Sequence, residues 1–366
     1  YAHAEDDFAT LQEVLAMTRG RLGAMTGADG AKVDFAAFLL DGRGTVDRHY
    51  NELPAEVRQL LVAYAAGLNR YAARHPEEVR LARLFPVTAE DVAAGFAIRS
   101  PFFFGLDNVL GALVENKPLN REGGPAIPRQ LLGGATPVAD ADGGGAGHVS
   151  LTANWFGRAD GQNGSNGFAV APRRTTDGAT WLVSNSHQPW RGPVAWYELV
   201  VHSKQGWDFA GATFPGSPYP FLGHNYQLGW TNTVNRPDLI DVYRLTVDPA
   251  GRNYRLDGQW KPLEARSVWL RVRFGPFVLP VPRTVYRSVH GPVIHNASGW
   301  FAVRYAGIDR LDMLTQYYRL QKAHSFAEWR AAMGAQGVPA TNFIYADREG
   351  NIGLFYNALF PDRPAG

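Results

Sequence analysis

The chain has 366 residues, of which 45% are apolar and 19% charged, a balance that suits a well-buried globular protein and excludes a disordered one. The formal charge is only +2, from 36 basic against 34 acidic residues, so no strong field is available to recruit nucleic acid or an anionic membrane. Cysteine is absent, which removes disulfides, thiolate metal sites and a cysteine nucleophile, and apolar runs such as residues 35–40 are too short to span a bilayer.

Residues 1–132 read as helical. Phe8, Leu11, Leu15, Thr18 and Leu22 recur at helical spacing. Further on, Val57, Leu60, Leu61, Tyr64 and Leu68 fall on one face of a helix, with Pro54 as its first-turn residue. Thr88 followed by Asp91 predicts a capping box at the start of the next helix. Residues 133–164 then lose every apolar period and are rich in Gly, Ala and Asp, as in residues 140–147, which marks a spacer or linker.

From Ser165 to residue 366 the texture is of strands and tight turns. Residues 181–184, 195–202 and 241–247 are rich in β-branched and aromatic side chains, and Asp257-Gly258 and Glu349-Gly350-Asn351 read as hairpin turns. Two helical segments interrupt the strands, at 312–323 and 325–333, the second with Ser325 as cap and Glu328 completing a box. Helices, then strands, then helices again favour a layered α+β protein over a βαβ repeat. There is no initiator Met and the last residues read as loop, so the chain reads as a fragment at both ends.

Several hydrolase signatures are missing, including G-x-S-x-G, H-E-x-x-H, the P-loop and a well-placed G-x-G-x-x-G. The ten His residues are scattered singly, without ligand spacing. What stands out is the junction Gly164-Ser165-Asn166-Gly167, where the spacer gives way to a strand pattern. A serine freed at that border by scission of the Gly164–Ser165 bond carries nucleophile and base on one residue, its hydroxyl and its α-amine. The dipeptide alone, which recurs at Gly216-Ser217, favours a solvated loop entering a strand.

The residues around it form a recognisable series. In order come Gly164-Ser165-Asn166-Gly167-Phe168-Ala169-Val170, Ser184-Asn185-Ser186-His187-Gln188-Pro189-Trp190, Phe214-Pro215-Gly216, Gly223-His224-Asn225 and Gly229-Trp230-Thr231-Asn232-Thr233-Val234-Asn235-Arg236-Pro237-Asp238. Ala2-His3-Ala4-Glu5-Asp6, Ala63-Tyr64-Ala65-Ala66-Gly67-Leu68-Asn69 and Tyr345-Ala346-Asp347-Arg348-Glu349-Gly350-Asn351 belong to the same series. With these the chain resembles the penicillin acylase family of N-terminal nucleophile (Ntn) hydrolases, in the branch that includes acyl-homoserine-lactone acylases.

The resemblance implies an αββα sandwich and a precursor that cuts itself between Gly164 and Ser165, the two chains staying together as a heterodimer. It makes residues 1–132 the α-chain part, 133–164 a spacer and 165–366 the β-chain part. Ser165 becomes the nucleophile with its own α-amine as base, His187 a residue that orients them, and Val234 the backbone donor to the oxyanion. An α-amine with an ordinary pKa of roughly 7.7–8.0 is partly neutral near pH 7, whereas a Lys at about 10.4 needs extensive desolvation first. Gly164 suits the strained geometry of self-cleavage. The family's second oxyanion donor, an Asn, lies beyond residue 366.

Asp238 and Asp241 match positions that hold a structural calcium in some members, although Gly105 falls where the acidic partner would lie. No cofactor is required for the chemistry. Trp190, Trp196, Phe214, Phe221 and Trp230 are candidates to accept an acyl chain, and Gln188 departs from the bulky apolar residue of some long-chain acylases. The implied substrate is a small acyl amide, an N-acyl homoserine lactone first and a β-lactam side-chain amide second, in the periplasm or outside the cell. Two other readings stay open at this point. One is an aromatic-rich binding module with a Gly-rich linker, the other an inactive acylase-like protein.

Overall fold

The computed structural model describes residues 1–117, 119, 165–235 and 237–363. The spacer expected at 133–164, Gly164 included, lies outside the described residues. The helical part comprises α1 (Ala2–Thr18), α2 (Gly23–Thr26), α3 (Ala28–Leu40), α4 (Gly42–His49), α5 (Ala55–Arg74), α6 (Ala89–Arg99) and α7 (Leu106–Val114). In α5 the residues Val57, Leu61, Leu68 and Ala72 are buried along one stripe, as the spacing required. Pro54 stands one residue earlier than expected, at the N-cap, and Leu22 falls beyond the end of α1.

Helix α6 is the hub of this part. Thr88 accepts from the Asp91 N–H and the Asp91 carboxylate accepts from the Thr88 N–H at 2.8 Å, so the capping box is complete. The same carboxylate pairs with Arg19 at 2.6 Å and Arg43 at 3.3 Å, tying α6 to α1 and α4. From Val92 to Phe96 every residue is buried, so α6 has no solvent face there to mark it as amphipathic.

Strands dominate after Ser165. The antiparallel pair β1 (Ser165–Val170) and β2 (Trp181–Ser186) stands apart from a six-stranded sheet. That sheet runs in the order β15 (Ile352–Ala358), β14 (Ala340–Asp347), β6 (Leu228–Thr233), β5 (Leu222–His224), β4 (Trp207–Thr213), β3 (Tyr197–Ser203). A five-stranded sheet has the order β10 (Glu264–Phe274), β11 (Phe277–Ser288), β12 (Gly291–Asn296), β13 (Gly299–Tyr305), β7 (Ile240–Leu245). The small hairpin of β8 (Asn253–Leu256) and β9 (Gln259–Pro262) turns through Asp257 and Gly258, both at positive φ, as the Asp-Gly pair predicts.

Two further helices, α8 (Asp312–Gln321) and α9 (Phe326–Met333), lie between β13 and β14. Ser325 caps α9 by accepting from the Glu328 N–H, but the Glu328 carboxylate accepts from the His324 N–H, so the expected box is only half formed.

The two faces of the six-stranded sheet follow from its period of two. Trp230, Phe343 and Tyr345 point to one face and surround the buried indole of Trp329 on α9, with ring centroids 6.4, 6.0 and 4.8 Å away. Thr231 and Ile344 point to the other face and meet the β1–β2 pair. Helices, a sheet and a second layer of strands are therefore stacked in that order. The structure is α+β with antiparallel sheets, the fold class that the sequence implied.

Candidate active site

Close stacking of β1 on the sheet fixes where Ser165 sits. Gly167 approaches so nearly that a Cβ there would lie 2.6 Å from Thr231 Cγ2 and 3.2 Å from Ile344 Cδ1. The Ser184 and Thr231 hydroxyls hydrogen-bond across the same gap at 2.6 Å. Register pairs Ser165 with Ser186, at the end of β1 that opens onto a pocket. The pocket encloses about 900 Å³, part of it open to solvent.

Ser165, Val234 and Asn235 lie on the strand side of this pocket, and Phe96, Arg99 and Ser100 on the helical side. An aromatic panel joins the sides. Trp196 stacks on Phe214 at 4.2 Å, Phe103 stacks on the same ring at 5.5 Å, and Phe221 leans on it at 5.3 Å. Trp196, Phe214 and Phe221 thus occupy the expected place, and an acyl chain would find a largely apolar surface. Trp190 is 99% exposed and Trp230 is a core residue that donates to the Phe221 carbonyl, so neither lines the pocket.

Val234 follows the last residue of β6, with its side chain 50% exposed. Among the described residues no hydrogen bond engages its N–H, which leaves a backbone donor available on the wall that carries Ser165. Its neighbour Asn235 is buried and donates Nδ2 to the Asn357 carbonyl at 2.9 Å, anchoring the turn to β15. Asn232 donates in the same way to the Asn342 carbonyl at 3.1 Å. The Oδ1 atoms of Asn232 and Asn235 are buried without a partner among the described residues. Neither Asn is marked by local sequence, since each anchor joins positions far apart in the chain.

His187 comes directly after Ser186, exposed, and is not among the residues that line the pocket; Gln188 is. The structure thus brings Ser165 and Val234 to one cavity and leaves His187 at its edge in sequence. Asp238 and Asp241 lie elsewhere and share Arg363, whose Nε meets Asp241 Oδ1 at 2.9 Å and whose Nη2 meets Asp238 Oδ1 at 3.2 Å. Nη2 also donates to the Asp238 carbonyl at 3.2 Å. A guanidinium already supplies the positive charge that calcium would bring, and among the described residues no third carboxylate gathers with these two. The arrangement does not fit a calcium site.

The helical wall holds a residue the sequence did not single out. Arg99 is 5% exposed and donates Nε to Gly95 O at 3.1 Å and Nη1 to Pro215 O at 2.7 Å. Burial lowers its pKa to about 10, still high enough to keep it charged at neutral pH. The second bond grips the residue after Phe214, so α6 also sets the aromatic panel.

A serine at a strand terminus, a backbone N–H with no partner among the described residues and an apolar cleft thus meet at one pocket. The model of the penicillin amidase family matches residues 1–366, and the chain belongs to that family.

Relatives include an acyl-homoserine lactone acylase PvdQ of Pseudomonas fluorescens, 28% identical over 98% of this chain and 46% of its own length. A PvdQ of Pseudomonas putida is 29% identical over 99% of this chain and 47% of its own. The chain therefore spans about half the length of the curated relatives it matches. A solved thermostable penicillin G acylase from Alcaligenes faecalis is 26% identical, covering 56% of this chain and 36% of that one at a TM-score of 0.49. Among the described residues no single helix is long and apolar enough to cross a membrane.

Proposed function

We propose that the whole protein is a self-processing acylase that hydrolyses a linear amide, an N-acyl homoserine lactone or a similar acyl amide, through Ser165 as an N-terminal nucleophile. The observation that supports this reading most is the meeting, at an apolar pocket, of Ser165 with a Val234 N–H that has no partner among the described residues. Scission of the Gly164–Ser165 bond frees the α-amine of Ser165. The amine takes the hydroxyl proton as Oγ attacks the amide carbonyl, and the oxyanion accepts from the Val234 N–H. Collapse breaks the C–N bond, and the proton passes to the departing amine. Water then cleaves the acyl ester, releasing a carboxylic acid and restoring Ser165.

In this reading the acyl chain lies along Trp196, Phe214 and Phe221, and His187 orients the serine and its amine. The cleaved chains remain one heterodimer, exported to the periplasm or beyond. The test is the intact mass and N-terminal sequence of the full-length protein beside a Ser165→Ala variant. Two polypeptides are expected in the wild type, one beginning Ser165-Asn166-Gly167, with a single uncut and inactive chain in the variant. An uncut wild type that still hydrolyses acyl amides would overturn the mechanism.

A further inference from the structure

Among the described residues, the buried guanidinium of Arg99 has no anion to answer it. Its two hydrogen bonds go to backbone carbonyls, and among the described residues no carboxylate pairs with it. The ionisable neighbours do not neutralise it. Tyr64 is a phenol whose pKa burial pushes upward, so it is uncharged near pH 7. His3, hydrogen-bonded to the Tyr64 hydroxyl at 3.0 Å, is lowered to about 4 by burial and is neutral as well. A guanidinium has five N–H donors, so several remain after those two bonds. Phe96, Phe103 and Phe214 line the same pocket as Arg99. An unpaired charge in apolar surroundings costs free energy that a bound acceptor recovers.

Resting on the acylase reading of this pocket, we propose that Arg99 is its specificity determinant, selecting acyl chains that carry a hydrogen-bond-accepting oxygen over plain alkyl chains of equal length. Two sources offer that oxygen, a carboxylate at the end of the chain or an oxo group within it. The competing role is purely structural, since Arg99 also grips Pro215 and so positions Phe214. A clamp makes no distinction between the three chains.

The experiment uses the full-length protein and three amides of one chromogenic amine, acylated with hexanoyl, 5-oxohexanoyl and the six-carbon chain ending in a carboxylate. One oxygenated chain is expected to exceed hexanoyl in kcat/KM by ten- to a hundredfold, the range of a charge-assisted hydrogen bond. Which one exceeds it identifies the source. Arg99→Met should lower kcat/KM on the oxygenated amides by more than on hexanoyl, erasing that preference mainly through KM, while Arg99→Lys, keeping the charge, retains part of it.

Equal losses on all three amides in Arg99→Met, or a wild type that favours hexanoyl, would overturn the proposal. Calorimetric titration of the uncleavable Ser165→Ala variant with hexanoate, 5-oxohexanoate and adipate separates this from failure of the acylase reading. Tighter binding of an oxygenated acid, lost in the Ser165→Ala/Arg99→Met double variant, supports the role of Arg99 even where no amide is turned over. Equal binding of the three acids overturns it.

Discussion

The two walls of the pocket are built on opposite terms. The helical wall comes from α6, whose middle is buried all round and whose start is tied down by paired side chains: Thr88 with Asp91, Asp91 with Arg19 and Arg43. The strand wall comes from β1 and the turn after β6, where Ser165 is half-buried and Val234 is half exposed. One side is closely packed; the other keeps a backbone N–H that has no partner among the described residues. Chemistry needs the second kind of surface, and accurate placement of a substrate needs the first.

That contrast can be tested by damaging each side in its own currency. The largest effect should come from the strand wall. Val234→Pro removes the N–H while keeping an apolar side chain, so acyl-amide turnover should fall about a hundred- to a thousandfold with little loss of folding. Val234→Ala keeps the donor and should stay within a few fold. Equal activity of the two variants would take the oxyanion role from this backbone group.

The helical side should answer to pH rather than to catalysis. His3 is buried, stacked 3.9 Å from Tyr197, and burial above all lowers its imidazole to about 4. An unfolded His titrates near 6.5, so between pH 6.5 and 4 the unfolded chain binds a proton that the folded one refuses. Stability present above pH 6.5 is therefore lost as pH falls through this window, by about 3 kcal/mol at most. Denaturant unfolding of a His3→Phe variant should show that slope flattened; an unchanged acid limb would place the sensitivity elsewhere.

The smallest effect concerns the start of α6. Thr88→Ala breaks the capping box and should cost about 1 kcal/mol, since Asp91 keeps both of its arginines. Thermal unfolding would register this, with turnover nearly unchanged. A larger drop in turnover than in stability would mean that the helix start communicates with the pocket.

What could be read from sequence divides along the same line. The helix-to-strand switch, the Thr88 box, the Asp257-Gly258 turn and the strand beginning at Ser165 are all local signals, and each appears where local chemistry placed it. The β10–β11 hairpin, eleven pairs long, escaped the reading even though Val268, Leu270 and Val272 alternate inward. Pro280 and Pro282 in its second strand break the expected composition.

Arg99 was illegible for a different reason. Nothing within 89–99 says that a basic residue ends up buried, because that follows from packing against α1, α4 and the Phe214–Pro215 turn. Asn235 is similar, since its anchor at Asn357 lies 122 residues away. Resemblance supplied the roles of Ser165 and Val234; the fold supplied their shared cavity.

The pairing of β1 bears on chain connectivity. Its ladder with β2 begins with Ser165 itself, opposite Ser186, and its depth is set by contacts at Gly167 and Ser184. Among the described residues, these pairing and stacking contacts of the strand all lie at Ser165 or downstream of it. A polypeptide end created there forfeits no rung of the ladder and no stacking contact. The position of Ser165 follows from the sheet on which its strand is stacked.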